Sequence, residues 1–169
     1  RDTGDSEGCV TKTSDVVPTA DDISQHLHKF KGAIRQRPPR YSAILQNGVR
    51  AYDRARSGED FLLPEREVYV HDLQFVQLSD GVARFKVQCG KGLYVRVLAE
   101  DIAKEMGSLG YVTYLRRTES AGFEQNDALG LETLQELVHN DNVSSGILPI
   151  KRVLDDIPVL ALGADEAWK

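Results

Sequence analysis

The amino-acid sequence predicts an α/β protein in which helices flank a mixed, mainly antiparallel β-sheet. Apolar and polar residues alternate over 66–78 and again over 82–89, with Ser-Asp-Gly between them, which is typical of a β-hairpin. Apolar residues recur instead every three or four positions over 19–30 and 95–106, which is the period of an amphipathic helix. At 169 residues, the chain is long enough to bury one hydrophobic core.

The chain is expected to begin with an irregular or extended stretch over residues 1–18, followed by a helix over 19–30. Thr19 suits the N-cap of this helix, because its hydroxyl can accept a hydrogen bond from an unpaired backbone N–H. Gly32 is expected to end the helix, since glycine is favoured just beyond a helix terminus. The apolar face of the helix comprises Ile23, Leu27 and Phe30.

Residues 35–66 are expected to protrude as a hairpin and loop. Pro38-Pro39 excludes a continuous helix, and Asn47-Gly48 is a strong signal for a tight turn. Six arginines lie between positions 35 and 56 against one acidic residue, although the net charge of the chain is −5. This segregation predicts one basic surface, suited to phosphate groups, on an acidic protein.

The second half of the chain is predicted to contain further helices and a strand. A helix over 95–106 is expected to end at Gly107, residues 111–118 are predicted to form a strand, and 131–138 a short helix. Residues 155–169 predict an extended run followed by a helix. The apolar face of the helix over 95–106 comprises Val95, Leu98, Ile102 and Met106.

Composition excludes several classes of protein. Two cysteines, Cys9 and Cys89, are too few for a disulfide framework, and Cys89 is expected to lie in the core. The four histidines lack the spacing of metal ligands, so no metal site is predicted. No apolar run approaches the roughly 20 residues that span a bilayer. With a polar N-terminus that does not resemble a signal peptide, these features favour the cytoplasm.

The segment CGKGLYVRVL, residues 89–98, is the candidate functional site. It places Lys91, Tyr94 and Arg96 in a bend between a strand and a helix. A turn requires the glycines, but it does not require an arginine beside the sheet. Plainer interpretations remain open: Tyr94 could be a core aromatic residue, Lys91 a solvated turn residue, and Arg96 half of an ordinary ion pair, for instance with Asp101.

Four stretches, in order, resemble the TruB family of pseudouridine synthases, the bacterial tRNA enzymes that make pseudouridine 55. RDTGDSEG is similar to T-D-T-x-D-x-x-G, with Arg1 in place of threonine. Residues 32–58 resemble the insertion Q-x-P-P-x-Y-S-A-x-K-x-x-G-x-x-x-Y-x-x-A-R-x-G, with Leu45 in place of lysine. VQCGKGLYVRVLAEDIA is similar to C-S-K-G-T-Y-I-R-x-L-x-x-D-I/L, and YLRRTESAGF to L-R-R-T-x-x-G-x-F.

The resemblance implies the catalytic-domain fold of the pseudouridine synthases, with no metal and no cofactor. Residues 1–153 would form the second part of that domain, with 35–66 as a thumb-like RNA-binding insertion, and 154–169 would begin a C-terminal PUA-type region. In the family the nucleophilic aspartate lies in an upstream motif, G-x-L-D-P-x-A-T-G, which does not occur in these 169 residues. The chain is therefore expected to be a fragment that is inactive alone.

The resemblance also implies roles for individual residues. Tyr94 would stack on the flipped uracil and take part in proton transfer, and Arg96 would pair with the nucleophilic aspartate. Lys91 would contact phosphate or shape the pocket, Leu115 would form an apolar wall, and Arg116 would contact RNA. The remaining candidate RNA contacts lie in the insertion: Arg40, Tyr41, Arg50, Tyr52, Arg54 and Arg56. Two alternatives stay open there, since the tyrosines could anchor the insertion and the arginines could be a solvated helix face.

The predicted function is that of a tRNA pseudouridine-55 synthase, an isomerase whose partner is the T-arm of tRNA and which is monomeric as a whole protein. A non-catalytic RNA-binding module of the same fold is the alternative. An unrelated acidic protein with a fortuitous arginine-rich segment is a third possibility. The related guide-RNA synthases of archaea and eukaryotes share the bend but do not carry the long insertion.

Overall fold

The computed structural model describes residues 1–154. The chain divides into two compact units, residues 1–114 and 115–169, and each unit is described by itself. The extended run and helix predicted over 155–169 lie outside the described residues. The same holds for the predicted PUA-type region, apart from its first residue.

The first unit contains two layers of regular structure. Its elements in chain order are α1 (Ala20–His26), β1 (Gly32–Gln36), β2 (Leu45–Gln46), β3 (Val49–Arg50), α2 (Ala51–Arg56), β4 (Arg66–Ser79), β5 (Val82–Cys89) and α3 (Val95–Glu105). Strands β1, β4 and β5 form a three-stranded antiparallel sheet in the order β1-β4-β5. One isolated parallel bridge joins Asp5 to Val112. The predicted fold class, with helices and a mainly antiparallel sheet, is confirmed.

The predicted hairpin of β4 and β5 is present, and its turn has the expected chemistry. Asp80 and Gly81 have φ angles of 52° and 72°, so both central residues lie in the left-handed region. This is the type I′ geometry, whose twist matches that of the flanking strands. Asn47 and Gly48 repeat it between β2 and β3, with φ angles of 51° and 81°.

Helices α1 and α3 share a hydrophobic core with the long strand β4. The buried residues of this core are Ile23, Leu27, Val70, Leu73, Leu98 and Ile102. Phe75 and Phe85 pack against it with their ring centroids 5.9 Å apart. The apolar faces predicted for the two helices are therefore the faces that are buried, and they fix α3 beside the sheet.

Helix α1 is shorter than predicted. Thr19 is its N-cap, and its hydroxyl and the Asp22 carboxylate form a reciprocal capping box. The α-helix ends at His26, and residues Leu27–Phe30 form a 3₁₀ turn instead of a further α-helical turn. Tightening of this kind is common at helix termini.

Strand β1 was not predicted, and it changes the bounds of the insertion. Its five residues pair with β4 from Gly32 opposite Val70 to Gln36 opposite Arg66. Arg35 and Gln36, predicted to belong to the insertion, are therefore part of the sheet. The protruding segment begins after Gln36 and ends before Arg66, and we call residues 37–65 the arm.

Two further predictions were wrong. Residues 111–118 do not form a strand: only Val112 makes a bridge, and Tyr114 is 74% exposed. Cys89 is exposed and does not lie in the core. It is the last residue of β5, and a register shift between Val70 and Asp72 interrupts the alternation just there.

The described part of the second unit, residues 115–154, contains two short strands and one α-helix. These are β6 (Glu119–Ser120), β7 (Phe123–Glu124) and α4 (Leu131–His139), and α4 confirms the helix predicted over 131–138. Short 3₁₀ turns follow at Val143–Gly146 and Ile150–Leu154. Within residues 1–154, no helix has the length and apolar character needed to cross a membrane.

Candidate functional site

The bend between β5 and α3 is a short turn whose backbone is held by the sheet. The Gly90 N–H donates to the Tyr69 carbonyl at 2.8 Å, and Gly92 has a φ of 87°. Tyr94 is the N-cap of α3, with an extended backbone at φ −97° and ψ 104°. Tyr94 is half-buried, whereas Lys91 is exposed.

The Tyr94 backbone is held by the side chain of Gln36, at the end of β1. The Gln36 carboxamide oxygen accepts from the Tyr94 N–H at 2.8 Å, and its NH₂ group donates to the Tyr94 carbonyl at 3.2 Å. Gln36 is only 2% exposed. The start of α3 is therefore tied to the edge strand at the base of the arm.

Arg96 lies in the first turn of α3 and joins three parts of the unit. Its Nη1 donates to the Thr3 carbonyl at 2.7 Å and to the Asp5 carboxylate at 3.2 Å. Its Nη2 donates to the Tyr41 carbonyl at 2.9 Å. The guanidinium thus connects the N-terminal segment, the base of the arm and the candidate site. The Arg96 side chain is 26% exposed, so these contacts are partly shielded from water.

The N-terminal segment packs closely on α3 because Gly4 has no side chain. Gly4 has a φ of 75°, and a Cβ there would lie 2.8 Å from a Glu100 carboxylate oxygen and 3.3 Å from the Arg96 Cβ. The Gly4 carbonyl also accepts from the Val112 N–H at 3.0 Å. Glycine at this position therefore permits the contact between Asp5 and Arg96.

The Asp5 carboxylate is held in its ionised form. The Thr3 hydroxyl donates to it at 2.6 Å, and the Glu7 N–H donates at 3.2 Å. The pKa of Asp5 is lowered, mainly by the hydrogen bond from Thr3, with smaller contributions from the Glu7 N–H and the positive charge of Arg96. Partial burial opposes this shift.

The alternative ion pair between Arg96 and Asp101 is not formed. Asp101 lies 3.3 Å from the Lys104 ammonium group, on the exposed side of the same helix. The carboxylate that pairs with Arg96 is that of Asp5 rather than that of Asp101. The threonine and aspartate of RDTGDSEG could have been suspected from their polar character, but only the fold brings them to Arg96.

The arm has a small hydrophobic core of its own. Its buried residues are Ala51, Ala55, Phe61 and Leu63, and Tyr41 and Ile44 pack against them. The arm therefore packs on itself, around a cluster separate from the core that α1, α3 and β4 share. Tyr41 packs partly against this core, which agrees with the alternative that it anchors the insertion.

Arg54 is built into the arm rather than directed away from it. Its Nε donates to Glu59 at 2.7 Å, its Nη2 also bonds Glu59, and its Nη1 bonds the Gln46 side chain. Its guanidinium carbon lies 4.1 Å from the centroid of the Phe61 ring. The pKa of Arg54 is raised, and that of Glu59 lowered, chiefly by the hydrogen bonds between them.

The other candidate arginines of the arm also contact the arm itself. Arg40 lies 3.4 Å from Asp60, and Arg50 donates to the Ala43 carbonyl at 3.0 Å. Arg56 stacks on the Tyr52 ring, 5.4 Å from its centroid, on the surface of α2.

The arm is less basic than the sequence suggested. Residues 37–65 contain five arginines and four acidic residues, for a net charge of +1. Glu59 and Asp60 belong to the arm and lie beside Arg54 and Arg40. The predicted basic surface is therefore local to a few side chains rather than continuous.

The remaining predicted site residues are exposed. Leu115 and Arg116 belong to the second unit, and both side chains face solvent there. Their predicted roles beside the uracil and on RNA stay predictions. Among residues 1–154, no group of three or more His, Cys, Asp or Glu side chains is arranged to hold a metal ion.

Comparison with family models gives two matches along the chain. Residues 1–95 match the model of the TruB family pseudouridylate synthase N-terminal domain. Residues 96–157 match that of the tRNA pseudouridylate synthase B C-terminal domain. The boundary between the two falls within the candidate site, between Tyr94 and Arg96.

Curated relatives are similar along almost the whole chain. A protein from Caulobacter vibrioides named tRNA pseudouridine synthase B is 44% identical over 166 residues, which cover 98% of this chain and 54% of that protein. A protein of the same name from Bradyrhizobium diazoefficiens is 45% identical over 175 residues, covering 99% and 50%. This chain thus spans about half the length of the curated relatives it matches.

The fold also resembles that of a solved structure. A chain in the crystal structure of a Cbf5-Nop10-Gar1 complex matches with a TM-score of 0.66 at 22% identity. The match covers 85% of this chain and 40% of that one. At this level of identity the likeness concerns the fold.

Proposed function

Because this chain belongs to the TruB family of pseudouridylate synthases, we propose that the protein converts uridine 55 in the T-loop of tRNA to pseudouridine. The observation that carries this proposal is the similarity over 98% of the chain to a relative named tRNA pseudouridine synthase B. The bend between β5 and α3 carries the Tyr94 ring and the Arg96 guanidinium, to which we assign roles in the reaction. We propose that the protein binds the T-arm of tRNA, acts as a monomer and is located in the cytoplasm.

In this reaction the bond between uracil N1 and the ribose breaks, the base turns, and C5 bonds to the ribose with loss of its hydrogen. The base must first leave the stack of the T-loop, at a cost of a few kcal/mol. Stacking on an aromatic side chain returns about 1–3 kcal/mol per base. We assign this stacking to Tyr94, the N-cap residue of α3.

Arg96 is proposed to hold the nucleophilic carboxylate of the active site. A guanidinium has five N–H donors, and the contacts of Arg96 to Thr3, Asp5 and Tyr41 are made through its two Nη atoms. The anchoring of Arg96 by Asp5 keeps its charge in place, and the remaining donors can bind a second carboxylate. A carboxylate paired in this way stays ionised and oriented for attack.

The motif G-x-L-D-P-x-A-T-G, which in the TruB family carries the nucleophilic aspartate, does not occur in residues 1–169. We therefore propose that these residues supply Tyr94 and Arg96 to an active site whose nucleophile comes from outside them. Residues 1–169 alone would then bind RNA without isomerising it.

The arm is proposed to contact the T-arm through its exposed side chains. Arg56 and Tyr52 form a stacked pair on α2, and Arg50 lies at the junction of the hairpin and that helix. RNA loops are recognised through their phosphates and their splayed bases. The arginines can bind the phosphates, and the tyrosine ring can stack on a base. Arg54 serves this surface indirectly, because its contacts with Glu59 and Phe61 hold α2 in place.

Tritium release tests the proposed function. The whole protein is incubated with T-arm RNA labelled at uracil C5, and tritium released to water is measured. We expect release from RNA with uridine at position 55 and none above background when labelled uridines occur only elsewhere. Salt-sensitive binding of the RNA by the whole protein without release would instead favour a non-catalytic RNA-binding module.

A further inference from the structure

Gln36 is a buried polar side chain that the proposed chemistry does not use. Both hydrogen-bonding atoms of its carboxamide are directed at a single residue, with the oxygen 2.8 Å from the Tyr94 nitrogen and the nitrogen 3.2 Å from the Tyr94 oxygen. With Gln36 only 2% exposed, water does not substitute freely for either bond.

We propose that Gln36 is a positioning residue, which fixes the backbone of Tyr94 and so aims the Tyr94 and Arg96 side chains at the uridine. The inference rests on the proposed function, since it concerns the same site. Gln36 would touch neither the RNA nor the reacting atoms.

The need for such a residue follows from where Tyr94 lies in the chain. As the N-cap of α3, it precedes the helix, and its own N–H has no partner within the helix. Its carbonyl accepts from the Leu98 N–H at 3.0 Å as the first bond of the helix. Gln36 is hydrogen-bonded to the N–H and to the carbonyl of Tyr94 at the same time. Loss of its side chain would leave a partly buried N–H donor without its acceptor and allow the backbone at Tyr94 to rotate.

Rotation at Tyr94 would affect the candidate site as a whole. The direction of the Tyr94 ring depends on the φ and ψ angles at that residue, and Arg96 follows two residues later in the first turn of α3. A displacement of about 1 Å in a catalytic group can reduce turnover about 100-fold. The hydrogen bonds of Gln36 therefore act on the chemical step rather than on RNA affinity.

Gln36 also lies where the arm joins the sheet. It is the last residue of β1 and pairs with Arg66, the first residue of β4, so both ends of the arm meet beside it. The arm is connected to α3 at a second point, through the hydrogen bond from Arg96 to the Tyr41 carbonyl. Movement of the arm when RNA binds would thus be transmitted directly to the backbone of Tyr94.

The test compares Gln36→Met with Gln74→Met in the whole protein. Methionine has a similar volume to glutamine but cannot form either bond with Tyr94. Gln74 is an exposed residue of β4 that contacts Asp72, so its replacement controls for a glutamine-to-methionine change in the same sheet. For Gln36→Met we expect kcat for tritium release to fall about 10- to 100-fold, with KM for T-arm RNA changed less than about threefold. Gln74→Met should match the wild type in both.

Hydrogen exchange of the Tyr94 amide, followed by NMR, keeps the test informative even if Gln36→Met folds poorly. In the wild type the Tyr94 N–H should exchange slowly, although it precedes the hydrogen-bonded part of α3, and in folded Gln36→Met it should exchange rapidly. Fast exchange in the wild type, or an unchanged kcat in Gln36→Met, would overturn the inference. Absence of turnover in the wild type would instead overturn the proposed function, whereas the exchange rates would still report on the contact.

Discussion

Arg96 and Asp5 form an ion pair across 91 positions of the sequence, with Nη1 of Arg96 3.2 Å from a carboxylate oxygen of Asp5. The pair connects the N-terminal segment to the first turn of α3. Both side chains are less than one-third exposed, so the interaction is only partly screened by water. The pair fixes the positive charge of Arg96 within the candidate site.

Asp5→Asn should weaken the attachment of the N-terminal segment and reduce activity. The neutral amide loses the charge attraction to Arg96, and we expect a loss of about 1 kcal/mol in the free energy of unfolding. Turnover should fall more than RNA affinity, because Arg96, which we propose holds the nucleophilic carboxylate, gains freedom. Asp101→Asn is the matched control, since Asp101 pairs with Lys104 on the same helix. Equal effects of the two substitutions would contradict a specific role for Asp5.

The contribution of Asp5 should depend on pH in a defined direction. Its pKa is lowered from an ordinary value of 3.8 in the folded protein, so the unfolded chain takes up a proton first as the pH falls. The stabilisation is therefore fully present above the ordinary pKa and is lost as the pH falls through the lower, folded-state value. Urea unfolding at pH 7, 5 and 3 should show the difference between wild type and Asp5→Asn constant at the first two and smaller at pH 3. A difference that grows at pH 3 would contradict this assignment.

Gly4→Ala should destabilise the first unit more than Gly107→Ala. Both glycines have positive φ angles, 75° and 69°, so both substitutions carry the backbone cost of about 1 kcal/mol. Only at Gly4 would the new Cβ meet neighbouring atoms, at Glu100 and Arg96, whereas nothing lies within 4 Å at Gly107. We expect an excess of up to about 1 kcal/mol for Gly4→Ala in urea unfolding, because the Glu100 carboxylate can move aside while the Arg96 Cβ contact must adjust. Equal losses would show that the N-terminal segment does not pack on α3 as described.

Two substitutions at Tyr94 should distinguish its role in base stacking from its role in proton transfer. Tyr94→Phe keeps the aromatic face, so RNA affinity should stay within about twofold while turnover falls by about 100-fold or more. Tyr94→Ala should also weaken RNA binding, by about 10-fold, because the stacking surface is lost. Binding of T-arm RNA by fluorescence anisotropy and turnover by tritium release measure the two effects. Full turnover in Tyr94→Phe would exclude a role for the hydroxyl.

Arg54 and Arg56 should behave differently although they are two residues apart. Arg56→Gln should reduce the slope of log affinity against log salt concentration by about 0.7–0.9, without lowering the melting temperature. Arg54→Gln should lower the resistance of the arm to proteolysis, because its bonds to Glu59 and Gln46 and its contact with Phe61 are lost. A salt slope that changes only for Arg54→Gln would reverse these assignments.

Elements whose geometry depends on residues close by in the sequence could be predicted from the sequence. The Asp80-Gly81 and Asn47-Gly48 turns both adopt the predicted tight geometry, because residues of these types tolerate positive φ angles. Helix α3 could be predicted from its apolar face, since Leu98 and Ile102 recur at helical spacing and are buried. The glycines and polar residues around Tyr94 and Arg96 likewise predict the bend from neighbouring residues alone.

Features that depend on distant pairing could not be predicted. Strand β1 has only five residues, two of them polar, and its character comes from pairing with residues of β4 that lie 30 to 38 positions away. The contact of Gln36 with Tyr94 spans 58 positions and has no local signature. The pairing of Arg54 with Glu59, by contrast, joins residues five positions apart and could have been predicted.

The most direct test of the account is whether this chain supplies half of an active site. Tritium release from labelled T-arm RNA is measured for residues 1–169 alone, and for the same residues together with the part of the Caulobacter vibrioides relative that lies outside the matched region. Co-elution of the two polypeptides on gel filtration establishes that they associate. We predict release only from the complex, with at least a 100-fold loss for Arg96→Ala. Release by residues 1–169 alone, or undiminished release by a complex carrying Arg96→Ala, would contradict the account.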